Sequence, residues 1–255
     1  MTTLESVKKV IRNRPVCIMS HGNSIAELEN HIEEFRDKDI CWMSFSVFPI
    51  MEKYILSKIG KDLDIVFDCA TVPHARIEHY ELTQRVPRLE DFLSRSKDKI
   101  WITSHGIIRD CITPYYPYFL DKYYDQITLI DSFFPSNETA KYMDVPNSVC
   151  FLIASALAGG ASKVIIFGLD GSRDNGVESY YKHEYHMIER KSALGDYQDA
   201  GIPRDTKGFQ ERVTIILERY RNLFNNKAEI FNCSPQSLYD VLPKIKYNEL
   251  ENILK

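Results

Sequence analysis

Short apolar runs recur along the chain, separated by longer stretches of helical period. The runs at 15–20 (PVCIMS), 39–43 (DICWM), 63–68 (LDIVFD), 99–104 (KIWITS), 126–130 (QITLI), 163–168 (KVIIFG) and 229–233 (EIFNC) predict strands. Several are continuously apolar, the mark of a parallel strand covered on both faces. Helical spacing predicts helices at 24–35, 49–59, 148–158, 208–223 and 236–245. Strands alternating with helices imply βαβ units. The expected fold class is therefore α/β, a Rossmann-like, doubly wound, mostly parallel sheet. Two segments break the rhythm. Residues 113–134 are crowded with Tyr and Phe, and 170–204 form a long polar stretch punctuated by Gly171, Gly176, Gly195 and Gly201. A stretch of that length without a period predicts a lid, about 171–204, inserted in one α/β domain spanning 1–255.

Composition narrows the function classes. The chain has 255 residues and is 44% hydrophobic, enough for a packed α/β core. Its net charge of −4 supplies no basic excess for a phosphate backbone, so nucleic acid is not an expected partner. The opening MTTLESVKKVIRNRP lacks the apolar core of a signal peptide, and the longest apolar run, 149–158, is half a membrane span. A cytoplasmic chain with no transmembrane segment is expected. The six cysteines, at 17, 41, 69, 111, 150 and 233, include no CxxC pair and lie mostly in apolar runs. They are expected to be reduced core thiols, neither zinc ligands nor a disulfide frame.

Candidate chemistry gathers at strand-to-helix junctions. The first strand ends in Ser20-His21-Gly22-Asn23-Ser24 and a helix pattern follows at once. Gly22 permits close backbone approach, Ser24 is a good N-cap, and the free N–H groups of the helix start suit a phosphate. Asn147 or Ser148 caps the apolar helix at 148–158. Asp170 and Gly171 follow the carboxyl end of the strand at 163–168, where open α/β sheets bind ligands. The third cluster is Tyr180-Tyr181-Lys182-His183-Glu184-Tyr185-His186. His183 and His186 are one residue short of the HExxH zinc spacing, so no metal site is expected. A histidine among tyrosines in a covering segment suits acid–base work. Ser104-His105-Gly106 repeats the Ser-His-Gly triplet after a strand; it either lines the same cleft edge or forms a turn, and the turn is the favoured reading. No GxSxG elbow and no GxxxxGK[ST] loop occurs.

The order of these motifs resembles the bacterial sialyltransferases that use CMP-sialic acid, and equally the related flagellin-accessory and hydroxymethylpterin pyrophosphokinase-like proteins. The matching pieces are Ile18 to Ile25, residues 147–171, and KAEIFNCSPQSL at 227–238. The resemblance implies a glycosyltransferase A-like fold with a nucleotide site. In it, His21, Gly22, Asn23 and Ser24 touch the nucleotide phosphate or ribose. Ser44 and Asp68 stand where those enzymes have donor-facing Asn residues. Asn147, Ser148 and Gly171 hold the donor. Asp170 is the motif acid, and Tyr180 or Tyr181 helps the departing phosphate. The late histidine base of the sialyltransferases has no counterpart here, since GIPRDTKGFQ carries none. His183 matches a histidine of the accessory group instead and is the expected base.

The function so implied is transfer of a sugar, sialic acid or a related nonulosonic acid, from a nucleotide-activated donor to a glycan acceptor, as in lipopolysaccharide biosynthesis. It requires no cofactor. Its partners are the nucleotide-sugar and the glycan, with peripheral membrane contact and a homo-oligomer left open. Two alternatives belong to other classes. One is a Mg-dependent pyrophosphokinase with Asp170 and Asp174 near a metal-bound triphosphate. The other is a non-catalytic nucleotide or glycan binder on the same fold.

Overall fold

The computed structural model describes residues 4–20, 22–45, 48–68, 85–134, 148–170, 206–235, 237 and 239–254. The expected lid at about 171–204 lies outside them.

Seven strands form one sheet: β1 (Pro15–Met19), β2 (Cys41–Phe45), β3 (Ile65–Asp68), β4 (Ile100–Thr103), β5 (Ile127–Leu129), β6 (Lys163–Phe167) and β7 (Glu229–Asn232). Their order is β5-β4-β3-β2-β1-β6-β7, and each of these pairings is parallel. The chain builds outward from β1 to β5, then returns to place β6 and β7 on the other side of β1. That reversal creates a topological switch point between β1 and β6. Open α/β sheets take ligands at such a point, outside the carboxyl ends of the strands.

The strands are buried on both faces because helices cover both. Alternate residues sort into two cores. Cys17, Met19, Trp42, Val66, Trp101 and Phe167 face one. Val16, Ile18, Met43, Ile65, Ile102 and Ile166 face the other. The first core is roofed by the helical stretch 23–35, by α2 (Phe48–Tyr54), α3 (Arg85–Ser94) and α4 (Pro117–Tyr123). The second is roofed by α1 (Leu4–Ile11), α5 (Ser148–Ala158) and α6 (Thr206–Phe224). Between the sheet, α1 and α6, every residue of α5 from Val149 to Ala158 is buried, as a helix apolar on all sides must be. Phe35, Trp42 and Phe167 stack and edge against one another in the first core. Truncating such a ring to alanine costs about 3–5 kcal/mol.

Three expectations are corrected. The helix expected at 24–35 is three short pieces, a 3₁₀ turn Asn23–Glu27, an α turn Leu28–His31 and a second 3₁₀ turn Ile32–Phe35. Its buried residues Ile25, Leu28, Ile32 and Phe35 recur at intervals of three, four and three, the spacing of an amphipathic helix, so the sequence pattern does not show the breaks between the three pieces. The helix expected at 236–245 is absent from the described residues of that range. Pro243 lies within it, and the chain there folds back on β7: Asn232 N–H donates to Pro243 O at 2.9 Å and Ile245 N–H to Asn232 O at 3.1 Å. Strand β2 begins two residues later than expected, because Asp39 turns outward to pair with Arg14 at 3.0 Å. The described cysteines, Cys17, Cys41, Cys111, Cys150 and Cys233, are all buried.

Candidate functional site

The two edges of the sheet differ in chemistry. At the amino edge, charge is matched by charge. Arg14 pairs with Asp39, Lys99 with Asp62 at 2.7 Å, and Arg95 with Glu52 at 2.9 Å. At the carboxyl edge, small hydroxyl and amide side chains are buried instead: Ser20, Ser44, Thr103, Asn232, Ser234 and Ser237. Such groups form hydrogen bonds without carrying a charge that must be neutralised.

The β1 and β6 loops are joined at the switch point. Ser20 N–H donates to Phe167 O and Gly22 N–H to Gly168 O, each at 2.8 Å, so the ladder runs past the ends of the strands. Gly168 takes the left-handed region at φ +71°, which turns the chain so that Asp170 faces β1. Asp170 Oδ2 then accepts from the Ser24 backbone N–H at 2.9 Å, and Oδ1 accepts from the Ser24 hydroxyl. Gly22 lies beneath this contact. A Cβ on it would fall 2.5 Å from both Asp170 Oδ2 and the Gly168 carbonyl oxygen. Glycine is required here for close approach.

The third participant is the turn after β7. Leu169 N–H donates to Ser234 Oγ at 3.0 Å, and Ser234 Oγ lies 2.9 Å from Ser24 Oγ. Because the carboxylate can only accept, the hydroxyl protons are ordered in one direction: Ser234 donates to Ser24, and Ser24 to Asp170. The Leu169 carbonyl accepts from Ser237 Oγ at 2.5 Å and from Asn232 Nδ2 at 3.3 Å. Tyr247 closes the set by donating to Ser24 O at 3.1 Å while stacked on Phe167 and His31. Burial pushes the Cys233 thiol up to about 12 and raises the Tyr247 hydroxyl as well, so neither is an anionic nucleophile near neutrality.

The expected site residues fall into three groups. Gly22, Ser24 and Asp170 are brought together as described. The Ser24 N–H, expected to meet a phosphate, is bonded to Asp170; Gly22 is the N-cap and the cap has no local side-chain bond, so Asp170 supplies it through space. Ser148 opens α5, and Asn23 opens the first helical turn; nothing further is described of the Asn23 side chain. Asp68 ends β3 opposite Thr103. Ser44 was expected to face the donor and instead has no exposed surface, donating to Met19 O at 3.0 Å within the sheet. His21, Asn147, Gly171, Tyr180, Tyr181 and His183 lie outside the described residues. The sequence reading gave no role to Tyr247, which carries no local signal. Ser234 and Ser237 lie in the segment at 227–238 that carries the resemblance, which implies no role for either.

This architecture is that of the bacterial sialyltransferase fold. The monofunctional alpha-2,3-sialyltransferase Cst-I of Campylobacter jejuni superposes with a TM-score of 0.56 at 16% identity, covering 91% of this chain and 80% of that one. The sialyltransferase CstII of the same organism, solved with cytidine-5'-monophosphate, gives 0.54 at 17% identity over 92% of this chain and 86% of that one. Its structure with the substrate analogue CMP-3FNeuAc gives 0.54 at 14% identity, over 92% and 87%. No family model matches the sequence. No curated protein matches it either. No described helix is long and apolar enough to cross a membrane.

Proposed function

We propose that this chain is a glycosyltransferase that moves a sugar, of the sialic or a related nonulosonic class, from a CMP-linked donor to a glycan hydroxyl. The observation that carries the reading is the hydroxyl- and amide-lined carboxyl edge at the β1/β6 switch point, where the Asp170 carboxylate is bonded to Ser24, on a fold shared with enzymes solved with CMP and CMP-3FNeuAc. In this reading the nucleoside lies over the β1/β6 junction, with Gly22, Ser24 and Ser148 beneath and beside it. The phosphate lies off the Ser24 N–H, towards β2 and β3, because Asp170 already occupies that donor. Tyr180 or Tyr181 steadies the departing phosphate, a role that rests on the resemblance alone.

The pyrophosphokinase reading is less well supported. It needs Asp170 beside a metal-bound triphosphate, yet both Asp170 oxygens are engaged by Ser24. Among the described residues no group of three or more His, Cys, Asp or Glu is placed to hold a metal.

Thermal denaturation with CMP, UDP, GDP and ATP, each with and without Mg²⁺, tests the proposal. A ligand at a hundred times its Kd adds about 2.7 kcal/mol, which raises the midpoint by roughly 5–10 °C in a chain of this size. CMP is expected to do so without Mg²⁺, and CMP-sialic acid is expected to release CMP on turnover. A shift with ATP and Mg²⁺ alone would favour the pyrophosphokinase, and no shift with any nucleotide would refute both.

A further inference from the structure

The register of the sheet brings together two residues that sequence reading left apart. β4 pairs with β5 as Trp101↔Ile127, Ile102↔Thr128 and Thr103↔Leu129. The same offset, carried two residues past the ladder, puts position 105 opposite position 131. Both segments turn there, which holds the two side chains at the carboxyl edge. Ser104 caps a short helical turn by accepting the Ile107 N–H, and Ile130–Phe133 forms a 3₁₀ turn. His105 Nε2 lies 3.4 Å from Asp131 Oδ2. The charged neighbours on the His105 segment, Arg109 and Asp110, are bonded to each other.

Two features mark this pair as more than a surface contact. Asp131 Oδ1 is buried and has no hydrogen-bond partner among the described residues. A buried oxygen left without a donor costs about 1–3 kcal/mol, and an unsatisfied group of this kind in a native fold calls for an explanation. His105, by contrast, is 67% exposed, so its ring stays open to a ligand while one nitrogen faces the carboxylate. The carboxylate faces one ring nitrogen and leaves the second open as a proton acceptor.

Resting on the transferase reading above, we propose that His105, steadied by Asp131, accepts the proton of the hydroxyl that receives the sugar, and that the acceptor glycan enters over β4 and β5. β4 stands three strand spacings from β1, about 14 Å along the edge. A nucleoside seated over β1 and β6 spans that gap with its phosphate and sugar. In the step, the acceptor oxygen bonds to the anomeric carbon while the bond from that carbon to the phosphate oxygen breaks. The bonding pair leaves with CMP, and the hydroxyl proton passes to the free ring nitrogen of His105. The imidazolium so formed is stabilised by Asp131, which acts as a positioning residue.

The experiment compares wild type, His105→Gln, His105→Ala, Asp131→Asn and His183→Ala in transfer from CMP-sialic acid to a glycan acceptor, with CMP affinity measured on each by calorimetry. His105→Gln is expected to lower kcat by about 10²–10⁴ while CMP affinity stays within a few-fold. Added imidazole is expected to restore part of the His105→Ala rate, which a merely structural histidine would not allow. Asp131→Asn is expected to lower kcat by less, with KM unchanged. Wild-type turnover by His105→Gln overturns the proposal, the more directly if His183→Ala is inactive. A rate loss that imidazole does not rescue, matched by lost CMP affinity, also overturns it. Failure of the wild-type chain to turn over any nucleotide sugar is a different result: it refutes the transferase reading itself, and this role with it.

Discussion

Gly22→Ala isolates the closure of the switch point, because alanine suits the backbone and fails only on contact. Gly22 sits at φ −68° and ψ 156°, a conformation open to any residue. Its added Cβ would nonetheless meet Asp170 Oδ2 and Gly168 O at 2.5 Å and Asp170 Cγ at 2.6 Å. Restoring ordinary carbon contacts of about 3.5 Å requires the β1 and β6 loops to part by roughly 1 Å. That movement pulls on the Gly22–Gly168 hydrogen bond at 2.8 Å and the Ser24–Asp170 bond at 2.9 Å. Overpacking costs about 1–3 kcal/mol and loss of a bond to a charged acceptor about 1.5–3, so about 2.5–6 kcal/mol in all. For a chain of this length the melting temperature should fall by roughly 5–24 °C. Gly106→Ala is the internal control. Its Cβ would meet only Ser104 Oγ, at 3.8 Å, and alanine in a helical turn should hold or raise the midpoint. Scanning calorimetry on the two variants decides the matter. A Gly22→Ala protein melting within about 2 °C of wild type would refute the reasoning, since no loop could then have moved to admit the methyl.

Three more outcomes are expected. Ser44→Ala should lower stability by about 1 kcal/mol, from the lost bond to Met19 O, and leave CMP affinity unchanged; weaker binding at unchanged stability would return Ser44 to the donor site. Burial raises the Glu52 carboxyl above its ordinary value of 4.5 against the opposing bonds from Leu63 and Arg95, so the folded state holds that proton more tightly than the unfolded chain. Stability from this group is therefore full below the ordinary carboxylate range and is lost as pH rises through the raised value. Glu52→Gln should flatten that fall in denaturant titrations across the acid range, and an unchanged slope would refute it. Asp170→Asn should leave the ratio of CMP to cytidine affinity unaltered in calorimetric titrations, whereas a selective tightening of CMP would place the phosphate beside Asp170.

The strands were legible because burial on both faces writes itself as continuous apolar runs, and β1, β3, β4, β6 and β7 fall within the runs at 15–20, 63–68, 99–104, 163–168 and 229–233. Helices on the first core were less legible. Ile25, Leu28, Ile32 and Phe35 keep helical spacing although the stretch is broken into shorter turns, and other buried positions sit in polar segments such as Arg85–Ser94. The short α1 went unread because only Val7, Val10 and Ile11 mark its buried face. In the candidate site, Gly22 and Asp170 were each visible as residues placed at strand ends, but their partnership was not. It joins positions 146 apart and depends on β6 lying beside β1, which is a property of the strand order and not of either local motif. His105 and Asp131 are hidden for the same reason. A Ser-His-Gly turn and a lone Asp acquire meaning only when the β4/β5 register sets them opposite each other.

Asp170 also determines what the β1 junction can bind. A helix start usually attracts phosphate because its N–H groups are unsatisfied and carry partial positive charge. Here the Ser24 N–H and hydroxyl are both bonded to a carboxylate. A phosphate placed about 4 Å from that carboxylate would meet a repulsion of about 4 kcal/mol per unit charge at an effective dielectric of 20. The anion position in this loop is thus filled from within the chain. What remains is a rigid floor fixed by Ser24, Asp170, Ser234 and the Leu169 amide, suited to the uncharged part of a nucleotide. In the proposed function the charged part is then directed along the edge towards β2 and β3, and that displacement brings the scissile bond nearer to β4 and β5, where His105 faces Asp131. In the proposed chemistry one half-buried carboxylate at the switch point therefore connects the two halves, by excluding the phosphate from β1 and sending the reacting carbon towards the proton acceptor.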